Sequence, residues 1–260
     1  MNLRKPTEKK ALSFLRAWYL VGIIGFSLPF TFSWFRYLTP FSLLLLAGLF
    51  WIYHPRGDRK FLLVIGLVFL AGYGVEVAGV HTGKIFGVYQ YGPTLGPKLA
   101  GVPLIIGLNW LIMVYGALAL VAPLHFNTWG SSFLAAVIMT SSDYFLEKFA
   151  LLSNMWSWQS GQPPLQNYAS WFILSFLFSL LVHSHVAGKS RTVAIHGYLY
   201  QFCFMILILL IHRLFWPESD PGIFPSMWHS SGSTPPGCSG NISGTCIWNW
   251  SHLNREVRSC

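Results

Sequence analysis

Apolar runs of membrane-spanning length follow one another along most of this chain. That succession constrains the fold more than any other feature. A transmembrane helix needs about 20 predominantly apolar residues. Candidate spans lie at Ala17–Phe35, Leu38–Tyr53, Phe61–Val80, Leu104–Ala122, Ser131–Phe149, Tyr168–Ala187 and His196–Trp216. Only Arg36 and Tyr37 separate the first two, so these form a tight helical hairpin or one of them is short. The expected fold class is an all-α, polytopic transmembrane helical bundle of about seven membrane helices. Composition agrees: the chain is 53% hydrophobic and only 10% charged, where soluble domains carry about 25% charged residues.

The net charge of +9 does not call for nucleic acid as a partner. Many of the basic residues lie in short segments between the apolar runs, where they orient helices. Arg4, Lys5, Lys9, Lys10 and Arg16 precede the first span, Arg56, Arg59 and Lys60 the third, and Lys189 and Arg191 the last. With an odd span count these segments share one side, expected to be the cytoplasm. Residues 1–16 therefore read as a basic cytoplasmic N-terminal segment and 17–216 as the transmembrane domain. Residues 217–260, rich in Ser, Gly and Pro, read as a low-complexity, disordered tail. No cleavable signal peptide is expected, because the first apolar run is long and lacks a small-residue cleavage site. Asn241-Ile-Ser and Asn249-Trp-Ser fit the glycosylation pattern. Cys203, Cys238, Cys246 and Cys260 have no metal-motif spacing.

Two stretches break the apolar pattern with unusual content. Glu76 to Trp110 gathers glycines, prolines, tyrosines and one carboxylate between two apolar runs. It is too rich in Gly and Pro for a continuous helix. Asp143 to Trp171 has the same character. By span parity the loops His81–Pro103 and Ala150–Asn167 leave the membrane on the same side, so two segments distant in sequence converge there.

Of the eight acidic residues, only Glu76, Asp143 and Glu147 fall in the membrane domain. A carboxylate at mid-membrane depth costs about 2.5–3.5 kcal/mol on insertion scales and usually faces a bundle interior or a water-filled cavity. Asp143 and Glu147 are four residues apart and share a helix face. Removal from water favours the neutral acid. The plainer reading is pairing with Lys84, Lys98 or Lys148. Phe86, Tyr89, Tyr91, Trp110, Tyr144, Trp156, Trp158, Tyr168 and Trp171 cluster about these acids in sequence. They form an interfacial aromatic belt or an electron-rich wall that stabilises a cation. Asn109, Gln159, Gln166 and Asn167 can hold a water or satisfy loop backbone. Gly83, Gly87, Gly96, Gly101, Pro97 and Pro103 set loop shape. His183 and His185 do not share a helix face, so no metal site is expected. No phosphate-binding Gly-rich motif or serine-hydrolase elbow is present.

The two stretches resemble an integral-membrane carotenoid biosynthesis family that includes CruF-type carotenoid hydratases and bisanhydrobacterioruberin hydratases. The first block is Glu76-x-x-Gly79-x-x-Thr82-Gly83-x-x-Phe86-Gly87-x-Tyr89-x-Tyr91, then Leu95-Gly96-Pro97 and Gly101-Val102-Pro103 to Trp110. The second is Asp143-Tyr-Phe-Leu-Glu147, Trp156-Ser-Trp158 and Pro164-Leu-Gln-Asn167-Tyr-x-x-Trp171. The resemblance covers about Phe61 to His183. Where the family often has Pro after the second-block glutamate, this chain has Lys148, which alters the helix end or sets a cation beside Glu147.

The resemblance implies cofactor-independent hydration of the terminal C1–C2 double bond of an acyclic carotenoid end, giving a tertiary alcohol. The substrate would be a membrane-dissolved carotene of the lycopene or γ-carotene type. The localisation implied is the inner membrane of a prokaryotic cell. The chemistry needs a buried protonated acid, an aromatic wall for the tertiary cation, one positioned water and a long apolar slot. Asp143 is then expected as general acid, with Glu147 tuning it. Glu76, helped by Asn109, would handle the water. The three acids' roles are open to permutation. Tyr89, Tyr91, Trp110, Trp156, Trp158, Asn167 and Trp171 are expected around the substrate. The competing readings are a membrane transporter, since buried acids also serve proton relays, and a non-catalytic carotenoid- or lipid-binding protein. The sequence leaves open whether other enzymes of the same pathway are partners.

Overall fold

The computed structural model of the chain describes residues 7–54, 59–186 and 191–216. The expected tail and its glycosylation patterns lie outside them, as do Arg4, Lys5, Arg56 and Lys189. The fold is all-α: α1 (Glu8–Ser27), α2 (Pro29–Phe35), α3 (Thr39–Tyr53), α4 (Arg59–Thr82), α5 (Ile105–Val121), α6 (Thr128–Leu152), α7 (Leu165–Val186) and α8 (Thr192–Phe215). A 3₁₀ turn at Arg36–Leu38 joins α2 to α3, so Pro29–Tyr53 runs as one 25-residue rod. With that rod taken as one, seven helical rods stand among the described residues.

Five of them, Pro29–Tyr53, Lys60–Thr82, Ile105–Leu124, Leu165–Val186 and Thr192–Phe215, are long and apolar enough to cross a membrane. α6 has 25 residues but carries the acids. Outward faces are apolar, with Leu20, Leu63, Leu70, Ile173 and Leu214 all exposed. Such a surface suits lipid, and the protein is an integral membrane bundle.

The first helix boundary differs from the sequence expectation. The break falls at Leu28, which is extended (φ −97°, ψ 126°), and not at Arg36–Tyr37. Pro29 disfavours helical geometry in the residue before it and itself suits the first turn of α2. Arg36 and Thr39 keep helical dihedrals, and Pro40 sits in the first turn of α3, where no N–H is missed. Helix α1 also begins at Glu8, ahead of the expected Ala17. Thr7 caps it by accepting from the Lys10 N–H. The rod Pro29–Tyr53 folds back on α1, with the rings of Phe26 and Phe32 edge to face at 5.7 Å.

Helix α5 is the axis of the bundle. It is buried along most of its length and touches α3, α4, α6, α7 and α8. Its close neighbours are admitted by small residues. At Gly72 of α4 a Cβ would lie 2.8 Å from the Trp110 ring. At Gly116 of α5 one would lie 2.4 Å from Tyr198.

Short strands occupy the two unusual loops. β1 (Tyr89–Tyr91) pairs antiparallel with β4 (Trp156–Trp158), with Tyr89 opposite Trp158 and Tyr91 opposite Trp156. The two loops do converge, as span parity required. Backbone bonds extend the ribbon at both ends: Gly92 N–H donates to Met155 O (2.7 Å) and Gln159 N–H to Val88 O (3.0 Å). β2 (Lys98–Leu99) and β3 (Val102–Pro103) form a hairpin whose two turn residues, Ala100 and Gly101, are both left-handed. That is the twist a two-residue hairpin prefers.

Candidate functional site

Residues alternate faces along a strand, and the β1–β4 ribbon uses this to place four aromatics together. Tyr89, Tyr91, Trp156 and Trp158 are buried, while Gln90 and Ser157 between them are exposed. The buried face lies over the acids of α4 and α6. Gly87 makes the approach to β1: its φ of +112° is closed to other residues, and a Cβ there would lie 2.7 Å from Pro164. At Gly92 the chains come closer still, with Asn154 O 2.1 Å from where a Cβ would sit.

The aromatic side chains present their polar ends to the acids. Glu76 Oε2 accepts from Tyr89 OH (2.5 Å) and Tyr91 OH (2.8 Å), and its Oε1 accepts from Trp110 Nε1 (3.1 Å). Glu147 Oε2 accepts from Trp156 Nε1 and Trp158 Nε1, both at 2.8 Å. Asn167 Nδ2 donates to Asp143 Oδ2 (3.0 Å) and to Glu147 Oε1 (3.2 Å). Trp171 stacks on Trp110 at 4.2 Å and fixes the indole that serves Glu76. All three carboxyls are buried. Buried carboxyls need such donors. The same environment holds the tyrosines neutral: burial first, and then the Glu76 charge, push both phenols well above their ordinary range.

The lysine pairing weighed from sequence is not formed. The partners of the three carboxyls among the described residues are neutral groups. Lys98 Nζ donates to the Tyr91 carbonyl, and Lys148 lies 4.7 Å over the Tyr144 ring. Lys148 does not end the helix, since α6 continues to Leu152, and its ammonium is held over Tyr144. Gln166 satisfies loop backbone, donating to the carbonyls of Lys84 and Ile85.

Every expected site residue falls in this one region, but they divide into two shells. Glu76, Tyr89, Tyr91, Asn109, Glu147, Trp156, Trp158, Asn167 and Trp171 line a chamber of about 20 Å³. One water needs about 10–15 Å³, so the chamber takes one. Trp110 and Asp143 stand behind it. Asp143 is wholly buried, and its Oδ1 has no hydrogen-bond partner among the described residues. The expectation that Asp143 meets the substrate directly therefore has a geometric obstacle, and Glu147 is the α6 acid that faces the chamber.

Beside the chamber lies a larger apolar slot of about 170 Å³, and Ile106, Asn109 and Trp156 line both. Sequence reasoning asked for a slot but missed its walls, Trp18, Gly22, Leu43, Leu146 and Phe204 among them. They are ordinary helix residues without a local signal. Among the described residues no group of three or more His, Cys, Asp or Glu could hold a metal ion.

Fold and site together define a polytopic membrane protein with a carboxyl–aromatic chamber beside an apolar slot. The chain belongs to the carotenoid biosynthesis protein family, whose model matches residues 40–219. It is also similar to the bisanhydrobacterioruberin hydratase of Haloarcula japonica, at 34% identity over 147 residues. That match covers 53% of this chain and 48% of the relative, so the chain spans about half the length of the curated protein it matches. No solved structure matches. The protein is thus a membrane-embedded member of the carotenoid biosynthesis family.

Proposed function

We propose that this chain is a carotenoid hydratase. It adds water across the terminal C1–C2 double bond of an acyclic carotenoid end, without a cofactor, and leaves a tertiary alcohol at C-1. The observation that carries this reading is a one-water chamber lined by two carboxyls from different helices, Glu76 and Glu147, and sharing three lining residues with an apolar slot. The hydratase name of the Haloarcula relative points to the same reaction.

Two carboxyls on one small chamber repel each other's charge, so one is ionised and the other protonated. Glu76 has donors on both oxygens, three in all, which suits the carboxylate. On Glu147 the two indole N–H groups crowd Oε2, and Oε1 meets only the shared Asn167 amide. Oε1 is the oxygen free to carry a proton. Glu147 gives that proton to C2 of the alkene, and the π pair forms the new C–H bond. The tertiary cation at C1 is stabilised by the rings of Trp156, Trp158, Tyr89 and Tyr91. The water oxygen then bonds to C1 and loses a proton to Glu76. Passage of that proton back to Glu147 restores the site, and the net change is one water added. Asp143 acts as a positioning residue through Asn167, so the acid role expected of it passes to Glu147. The N-terminus is cytoplasmic and the membrane a prokaryotic inner membrane in this reading, which reporter fusions at the two ends of the transmembrane domain would check.

The deciding experiment expresses the chain in bacteria that accumulate lycopene or γ-carotene and analyses the pigments by chromatography and mass spectrometry. A gain of one water, absent with Glu76→Gln and Glu147→Gln at equal membrane levels, supports the hydratase. Unchanged pigment over several acyclic-ended carotenes, with well-inserted protein, overturns it.

A further inference from the structure

We infer that the apolar slot is the carotenoid-binding channel, that it loads sideways from the bilayer beside α1, and that Gly22 sets its bore. This rests on the carotenoid reading above for the identity of its occupant, a linear polyene chain.

The slot has a lipid-side end and a chamber end. Val21 on α1 and Leu38 at the α2–α3 joint line it, yet they are 58% and 41% exposed. They stand on the apolar outer surface, so the slot opens toward acyl chains and not toward water. At the other end Met155, Trp156 and Ile106 are buried, and Ile106, Asn109 and Trp156 are shared with the chamber. The slot therefore runs from the lipid-facing side of α1 to three residues that also line the chamber of Glu76 and Glu147. A membrane-dissolved polyene entering there meets apolar side chains and crosses no polar layer.

One hydrogen bond ties the wall beside the mouth together. Trp18 Nε1 on α1 donates to Ser42 Oγ on α3 at 3.0 Å, and both residues line the slot. The 3₁₀ turn at Arg36–Leu38 falls in the same wall. Behind the mouth, Gly22 faces Phe204 of α8, and a Cβ on Gly22 would lie 3.2 Å from the ring. A larger side chain there must fill the bore or push Phe204 into it. Gly25, about one turn on, serves helix packing instead. A Cβ there would lie 2.1 Å from Phe35, so this glycine admits α2 and not the ligand.

At the chamber end Asn109 is the polar residue at the junction of the two spaces. A saturated or conjugated hydrocarbon offers it no hydrogen bond. Its amide therefore marks the depth at which the terminal double bond, and the water, must stop.

The test uses the full chain, purified in mild detergent from cells accumulating an acyclic carotene, with bound pigment per protein read by absorbance. Glu76→Gln and Glu147→Gln should keep their pigment, since they block chemistry and not the slot. Gly22→Leu should lower bound pigment about tenfold, and Gly22→Ala should lie between it and wild type. Val21→Trp, at an exposed position that folding tolerates, should obstruct the mouth and lower pigment as well; it decides the matter if Gly22→Leu fails to reach the membrane. Wild-type levels of bound pigment in both Val21→Trp and well-inserted Gly22→Leu overturn the channel while leaving the hydratase reading intact. If wild type binds pigment, loses it with these variants and yet adds no water, the channel stands and the hydratase reading fails.

Discussion

Asn167 Nδ2 lies 3.0 Å from Asp143 Oδ2 and 3.2 Å from Glu147 Oε1, one amide serving two buried acids. An acid pair one helical turn apart on α6 is thereby tied to the first turn of α7. Replacing Asn167 with Leu removes that donor and leaves both carboxyls short of a partner. A buried polar group without a partner costs about 1–3 kcal/mol. Asn167→Leu should therefore lower thermal stability in detergent and abolish hydration. Asn167→Gln keeps an amide at the wrong reach, and should recover stability more than activity.

The acids should separate by where they stand. Glu76→Gln and Glu147→Gln remove groups that face the chamber, and general acid or base catalysis contributes about 10²–10⁴-fold. Losses of that size are expected from each. Asp143→Asn keeps the shape of a residue that reaches the chamber only through Asn167. It should lose about tenfold or less, in line with a single hydrogen-bond effect. Equal loss in all three, measured as hydrated pigment per membrane-inserted protein, would return Asp143 to the donor role.

Aromatic rings and aromatic donors can be told apart. Trp156→Phe and Trp158→Phe keep a ring but withdraw the N–H that Glu147 Oε2 accepts. Tyr89→Phe and Tyr91→Phe do the same to Glu76. Glu76 is charged at rest and Glu147 once its proton has left, and hydrogen bonds to a charged group contribute about 1.5–3 kcal/mol, so each substitution should slow hydration about ten- to hundredfold. Rates close to wild type in all four would mean that the rings act as a wall alone.

Glycines give a structural control. Gly92→Val drives a side chain into the Asn154 carbonyl and should part the β1–β4 ribbon. Overpacking costs about 1–3 kcal/mol, and limited proteolysis of the two loops should show it. Gly48→Ala in α3 meets nothing within 4 Å and should stabilise the helix by about 0.5–1 kcal/mol.

Much of the architecture was legible in the chain because membrane insertion imposes a local rule. Apolar runs near 20 residues must be helices, and the observed rods follow them. The misplaced break near Leu28 was readable in principle, since Pro29 carries the signal. Two residues between apolar runs, Arg36 and Tyr37, looked like the stronger interruption. A continuous helix absorbed them through a 3₁₀ turn, because neither residue lacks an N–H.

The sequence by itself determined which residues would meet. Three acids in an apolar chain with few charges have few places to go, and parity brought the loops holding Tyr89, Tyr91, Trp156 and Trp158 to one side. Only the tertiary structure decided how they meet. The register Tyr89↔Trp158 and Tyr91↔Trp156 turns each ring's polar edge toward an acid. The fold also sets Glu147 at the chamber with Asp143 behind it, and α1, α3 and α8 around an apolar slot. The reason is physical. Burial and span length are properties of a segment, whereas register, the direction of an N–H and the bore of a slot exist only between segments.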